Sequence, residues 1–324
     1  MMTNNTTAPL SRGPEWWRQQ AICHPLLAKH NRIPLWTPPV ERFYARAKWL
    51  ILQRHSFYVD EPTGEGKSAV ANALVDRIQR DLGDIVTIVY CTQNKQGPSV
   101  RSFFKGFLDT IGSPSTSGET WDLQARARRR LVALASETTW RTILLVIDEA
   151  QALLVDDLEF AKDIQNQLER EHIDLVVALF GESPMLELVS ASAGQAKHYA
   201  CFDRFTHHRI PIDGYDRESL TCLLRMMDVS IWPPGSGLTW PGFFYPQATA
   251  HGFRFEHQAG RVWHALKEAN LVRSYEDKTV VARRVFELMG YVAANAEHYD
   301  VDRSDLDDQL WTAAALFCAG EQDV

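Results

Sequence analysis

Cysteine is scarce and unpaired in this sequence. The five residues Cys23, Cys91, Cys201, Cys222 and Cys318 are odd in number, and none forms a C-x-x-C pair. That excludes a disulfide framework or a cysteine-based zinc site as the organising principle and fits a reducing compartment. Also missing is any uncharged apolar run long enough to cross a bilayer. The opening MMTNNTTAPL has neither the charged nor the apolar part of an export signal. A cytoplasmic protein with no membrane partner is expected. Positive charge is not in excess either: 34 Lys and Arg stand against 41 Asp and Glu, for a net charge of -7. This excludes a surface that is basic all over but leaves room for a local basic stripe. There is no internal repeat and no low-complexity tract.

What is present suits a globular chain with a proper core: 324 residues, 45% hydrophobic and 23% charged. Residues 40–55 have a helical period, with Phe43, Ala47, Leu50 and Ile51 on one side. Strands and helices then alternate. SFYVD (56–60), DIVTIVYC (84–91), TILLVID (142–148), DLVVALFG (174–181) and HHRIPID (207–213) read as strands. Helical patterns lie between them at 68–82, 99–111, 121–137 and 157–170. Such alternation predicts an α/β fold, a parallel five-stranded sheet flanked by helices. After Gly214 the strand signals stop, and 217–229, 261–272, 276–297 and 303–319 read as helices. The expected organisation is an N-terminal extension (1–39), an α/β domain (40–215) and a helical region (216–324). In the extension, Trp16, Trp17, Leu26 and Leu27 suggest docking on the body or on a partner.

The chemistry is concentrated at strand ends. DEPTGEGKSAV (60–70) fits the second half of the phosphate-loop pattern G-x-x-x-x-G-K-[ST], but Glu61 occupies the first glycine position. The candidate nucleotide-binding residues are Glu61, Pro62, Thr63, Gly64, Glu65, Gly66, Lys67, Ser68 and Ala69. Glycines let backbone N–H groups converge on phosphate, and a following helix N-terminus favours the anion. Lys67 would reach the terminal phosphates of ATP, and Ser68 would ligate Mg²⁺. The Glu61 side chain is expected to point outward at the mouth of the loop; a site that no longer binds nucleotide is the competing reading. LLVIDEAQAL (144–153) is an apolar strand ending in acids. Asp148 there can hold Mg²⁺ through water, and Glu149 can act as general base on the attacking water. At the end of the next strand, Ser183 or Glu182 can sense the γ-phosphate; Ser183-Pro184 would equally suit a helix cap. Arg204, in CFDRFTHHRIPI, could reach the ATP of a neighbouring subunit, or simply pair with Asp203 at the surface. Arg209 is a second choice for that role. Arg261, at a helix start in HQAGRVWHAL, could fold over bound phosphates, or only cap its helix.

GEGKS, VIDEAQAL, FGESPM, DRF and GRV occur in the order of an AAA+ ATPase with a helical lid. More narrowly, the chain resembles the TnsC/TniB regulators of transposons, relatives of MuB and IstB, over about residues 40–270. That resemblance implies an ATP- and Mg²⁺-dependent ATPase that forms a ring or helical homo-oligomer on double-stranded DNA. It also implies a transposase and a TniQ-type targeting factor as partners, with hydrolysis dismantling the assembly. DNA contacts would come from Lys95, Arg101 and Lys105 after the second strand, and from Arg126 and Arg130, one turn apart in QARARRRL. They would be mainly to phosphates, hence sequence-nonspecific and salt-sensitive; a solvated helix face is the alternative. Two other functions stay open: a helicase-loader-like or chaperone-like adaptor that remodels proteins, and a nucleotide-binding scaffold that never turns over.

Overall fold

The computed structural model describes residues 14–28, 35–92, 99–183, 203–273 and 278–320. Its chain divides into two compact units. One is Pro38–Asp213; the other comprises the described residues of Met1–Thr37 and Gly214–Val324.

The first helix, α1 (Pro14–Ile22), belongs to the second of these units. The α/β unit runs α2 (Pro38–Leu52), β1 (Phe57–Glu61), α3 (Lys67–Leu82), β2 (Val86–Cys91), α4 (Val100–Thr110), α5 (Thr120–Ser136), β3 (Thr142–Asp148), α6 (Val155–Glu169) and β4 (Asp174–Glu182). All strand pairs are parallel, in the order β1-β4-β3-β2. Residues 142–147 of β3 are buried without a break, as a central strand covered on both faces requires. Ile143, Leu145 and Ile147 join one core with Phe103, Phe107, Leu123, Leu131 and Leu158 of α4, α5 and α6. On the opposite face α2 and α3 supply buried Phe43, Ala47, Val70, Leu74 and Ile78, and the Phe43 ring meets that of Phe180 in β4 at 6.0 Å.

Two expectations need correcting here. The sheet has four strands among the described residues, not five. The 207–213 segment pairs its backbone with the free edge of β1 at one point, where Tyr58 N donates to His208 O and Ile210 N donates to Tyr58 O, both at 2.9 Å. The ladder stops there because side chains take the groups that would continue it: Ile212 N donates to the Glu61 carboxylate at 3.4 Å, and Asp60 O accepts from the Arg209 guanidinium at 2.9 Å. The second correction is that β1 includes Glu61, paired in register with Glu182 of β4. Glu61 therefore takes the strand's inward-facing alternation and is 8% exposed, not turned out at the mouth of the loop.

The second unit contains α7 (Arg217–Val229), α8 (Trp240–Phe244), α9 (Pro246–Ala250), α10 (Ala259–Glu268), α11 (Ala282–Ala294), α12 (Ala296–Tyr299) and α13 (Asp308–Ala319). Asp216 caps α7 by accepting from Ser219 N at 2.7 Å. Helix α10 stops four residues short of the expected end and α11 starts six residues late. Between them Val280 is bridged to both Tyr215 and Val272. The core is rich in large aromatics: Trp240, Tyr245, Phe253, Phe255 and Trp311 are each at most 1% exposed. The N-terminal segment packs within this unit. His24 lies among the rings of Trp232, Trp240, Phe243 and Phe244 at 4.5–5.6 Å. No helix among the described residues is long and apolar enough to cross a membrane.

Candidate functional site

Because every strand is parallel, the C-terminal ends of β1, β3 and β4 share one edge of the sheet. The order β1-β4-β3-β2 sets the β4 tip between the loop after β1 and the acids ending β3. This edge, where the chain order reverses, is where open parallel sheets bind ligands.

The loop after β1 turns on two glycines in left-handed conformations, Gly64 (φ 94°) and Gly66 (φ 92°). A side chain at either would be strained, so the GEG spacing is a backbone requirement. Gly66 is the N-cap of α3, and the first turn of that helix holds no acidic residue to oppose its dipole. The Lys67 ammonium lies over the loop, donating to the carbonyls of Glu61 at 2.7 Å and Pro62 at 2.9 Å. Ser68 and Ala69 are exposed in the first helical turn, whereas Glu65 is 3% exposed. Two glycine-dependent turns, a helix N-terminus and a lysine on the same loop fit a polyphosphate. The hydroxyl of Ser68 and the carboxylate of Asp148 are hard oxygen donors of the kind Mg²⁺ takes alongside phosphate oxygens.

A line of hydrogen bonds connects this loop to the acids of β3. Thr63 Oγ1 donates to the Glu182 carboxylate at the end of β4. Glu182 N donates to Gln151 Oε1 at 3.1 Å, and Gln151 Nε2 donates to the Glu149 carboxylate. Glu149 has φ 57°, the left-handed region, and its N–H donates to Asp148 Oδ1 at 3.0 Å. A non-glycine residue held there is strained. Thr92, just beyond β2, supports the turn from below: its hydroxyl donates to the carbonyls of both Asp148 and Glu149. The Cys91 thiol is pushed up by burial first and then by the neighbouring Asp148 and Glu149 charges. Sequence reasoning missed Gln151 and Thr92. The signal for Gln151 was visible as the one amide in IDEAQAL; Thr92 had none beyond being the first polar residue past a strand.

The remaining candidates fall as follows. Ser183 donates its N–H to Glu61 O at 3.3 Å, and its side chain is exposed. Arg204 reaches neither loop nor acids within this chain. Its guanidinium donates to Asn166 at 2.6 Å and Glu169 at 3.2 Å on α6, while Asp203 lies 3.8 Å from His207. Arg261 lies in the helical unit, donating to Gln258 and to Leu306 O at 3.1 Å each, with Asp308 at 3.2 Å. Arg101 and Lys105 are exposed one turn apart on α4. Arg126 and Arg130 are spent differently: they donate to carbonyls of Ser115, Ser117 and Ile111 and so fix the α4–α5 connection. Lys95 lies outside the described residues.

Comparison with known proteins agrees with this geometry. Residues 53–189 match the family described as AAA domain. No curated protein matches the chain. Among solved structures, the chain is similar to the Aeropyrum pernix Orc1 protein in complex with DNA, at 15% identity and TM-score 0.53, covering 91% of this chain and 68% of that one. It is similar to Cdc6p from Pyrobaculum aerophilum at 12% identity and TM-score 0.55, covering 84% and 65%. A third likeness is the S. cerevisiae Hsp104-ADP complex, at 15% identity and TM-score 0.51, covering 92% and 44%. The chain thus spans about two thirds of the first two and less than half of the third. At these identities the likeness is one of fold, and that fold is the AAA+ P-loop NTPase, a parallel sheet flanked by helices.

Proposed function

We propose that this chain binds and hydrolyses ATP and works on duplex DNA as a transposition regulator of the TnsC/TniB kind. In this reading it assembles on DNA as a ring or filament and engages a transposase and a TniQ-type targeting factor. The observation that carries the ATPase part is the continuous line Thr63–Glu182–Gln151–Glu149, which ties the phosphate loop to an acid suited to activating water. Gly64 and Gly66 shape the cradle and Lys67 offsets phosphate charge. Ser68 and Asp148 would hold Mg²⁺, which when bound neutralises charge on the phosphates. Glu149 accepts the proton of the attacking water. Support for the DNA part comes from the exposed Arg101–Lys105 pair and from the DNA-bound state of the Orc1 structure it resembles in fold.

A general base contributes about 10²–10⁴-fold to such a step. Glu149→Gln should therefore lower ATP turnover at least about 100-fold while leaving ATP affinity in place, and rings or filaments on duplex DNA seen by negative-stain microscopy should persist in ATP. Turnover unchanged by this substitution would sink the assignment. A second reading, a protein-remodelling adaptor, draws on the likeness to the Hsp104-ADP complex. It predicts that duplex DNA neither assembles the chain nor stimulates its ATPase.

A further inference from the structure

The acid at the head of the phosphate loop creates an electrostatic problem that the structure answers locally. Between Glu61 and Ser68 the loop carries two acids, Glu61 and Glu65, against one base, Lys67. A loop with that balance would repel a polyphosphate unless an acid were offset nearby. Glu61 is the closer concern, because its own carbonyl accepts from the Lys67 ammonium at 2.7 Å. Its carboxylate is turned away from the loop, with 11% of the side chain exposed. There it accepts from Arg209 Nη2 at 3.3 Å and from Ile212 N at 3.4 Å. The same Arg209 nitrogen donates to Asp60 O at 2.9 Å, so the guanidinium grips both the backbone and the side chain at the end of β1. Tyr58 fixes the segment bearing Arg209 through its two bonds to His208 and Ile210.

Resting on the nucleotide-binding reading above, we infer that Arg209 is a charge-compensating and positioning residue of the phosphate loop. It neutralises the Glu61 carboxylate and ties the head of the loop to the 209–212 segment. A loop with an acid where its pattern has glycine thereby still accepts an anionic nucleotide. Its charge matters because Glu61 is there; with a neutral residue at 61 there is no carboxylate to compensate, and only its bond to Asp60 O is left. The pairing also reassigns an arginine that sequence reasoning had held in reserve for a neighbouring subunit's ATP.

The test is a double-mutant cycle on the full chain, with ADP and Mg²⁺ titrated calorimetrically into wild type, Arg209→Ala, Glu61→Gln and the double variant. Arg209 is half exposed but the Glu61 side chain is largely buried, so removing Arg209 leaves a buried carboxylate uncompensated. Arg209→Ala should weaken ADP binding about tenfold when Glu61 is present, and at most about twofold when Gln stands at 61. The larger loss should shrink at high salt. Arg209→Lys, which keeps the charge, should retain most of the affinity and guards against reading misfolding as weak binding. Equal losses in both backgrounds, or no loss with Glu61 present, would overturn the inference while leaving nucleotide binding intact. A wild-type chain that binds neither ADP nor ATP would overturn the functional reading itself, and the inference with it.

Discussion

The two units fill their interiors with different aromatics, and the difference shows where each can carry function. In the α/β unit the largest fully buried side chains are phenylalanines, Phe57 and Phe180 of the strands among them, and acids gather at one sheet edge. There Asp148, Glu149 and Glu182 are linked through hydrogen bonds that pass by Gln151, and Glu61 is paired with Arg209. The helical unit adds tryptophan and tyrosine, Trp240, Tyr245 and Trp311, whose polar atoms are enclosed with their rings. His24 Nε2, Trp240 Nε1 and Trp311 Nε1 are buried with no hydrogen-bond partner. An edge of bonded acids can rearrange when an anion arrives; an aromatic interior holds shape and tolerates charge poorly.

The strongest way to sharpen this contrast is to hollow the aromatic core. Trp311, in α13, is 1% exposed, so Trp311→Ala should cost about 3–5 kcal/mol. Hydrogen exchange read by mass spectrometry should show lost protection in peptides from 214–320, with the strands of the α/β unit affected least. Uniform loss across both units would mean that their stabilities are not separable.

Acid should act on the same unit by another route. His24 Nδ1 accepts from Leu26 N at 3.0 Å, so in the neutral ring the proton sits on the enclosed Nε2. Burial lowers the His24 pKa to about 3 from an ordinary 6.5. The native state resists the proton that the unfolded chain accepts. This contribution is flat above pH 6.5 and destabilises as pH falls from there towards 3. By pH 5 the loss is about 2 kcal/mol. His24→Asn keeps an acceptor for Leu26 N and does not titrate. Denaturant unfolding at pH 7 and pH 5 should show the gap between wild type and variant narrowing by about that amount. An unchanged gap would mean that this ring does not set the acid response.

How far the sequence disclosed all this follows the same division. The α/β elements were legible because uninterrupted apolar runs such as TILLVID and the GEGKS turn admit few alternatives; β3 falls at 142–148 as read. The expected fifth strand is a single bridge because HHRIPID has strand composition while Ile212 N and Asp60 O, which would continue its pairing, are taken by the Glu61 and Arg209 side chains. Glu61 was misread because one residue of strand length decides which way a side chain faces. In the helical unit, α7 falls at 217–229 as read, but the long helix expected at 276–297 begins at Ala282. Nothing local in the sequence reveals the tertiary bridges from Val280 to Tyr215 and Val272. The partners of Arg126, Arg130 and Arg204 were likewise invisible, since carbonyls and distant side chains leave no spacing to read.

The subtlest test concerns Gln151, which the motif displayed without declaring its role. Its amide donates to the Glu149 carboxylate on one side and accepts from Glu182 N on the other. On the proposed mechanism it aims the base and shares it with the β4 tip, without touching the reacting atoms. Gln151→Ala should then lower kcat about tenfold, near 1.4 kcal/mol, with KM for ATP held. Gln151→Glu separates aim from mere bulk. A second carboxylate beside Glu149 disfavours ionisation of the base, so the rising limb of the kcat–pH profile should move to higher pH. The alanine variant, which adds no charge, should leave that limb in place. If both variants lowered kcat alike with no movement of the profile, Gln151 would be packing for the turn after β3, and the link from phosphate loop to base would end at Glu182.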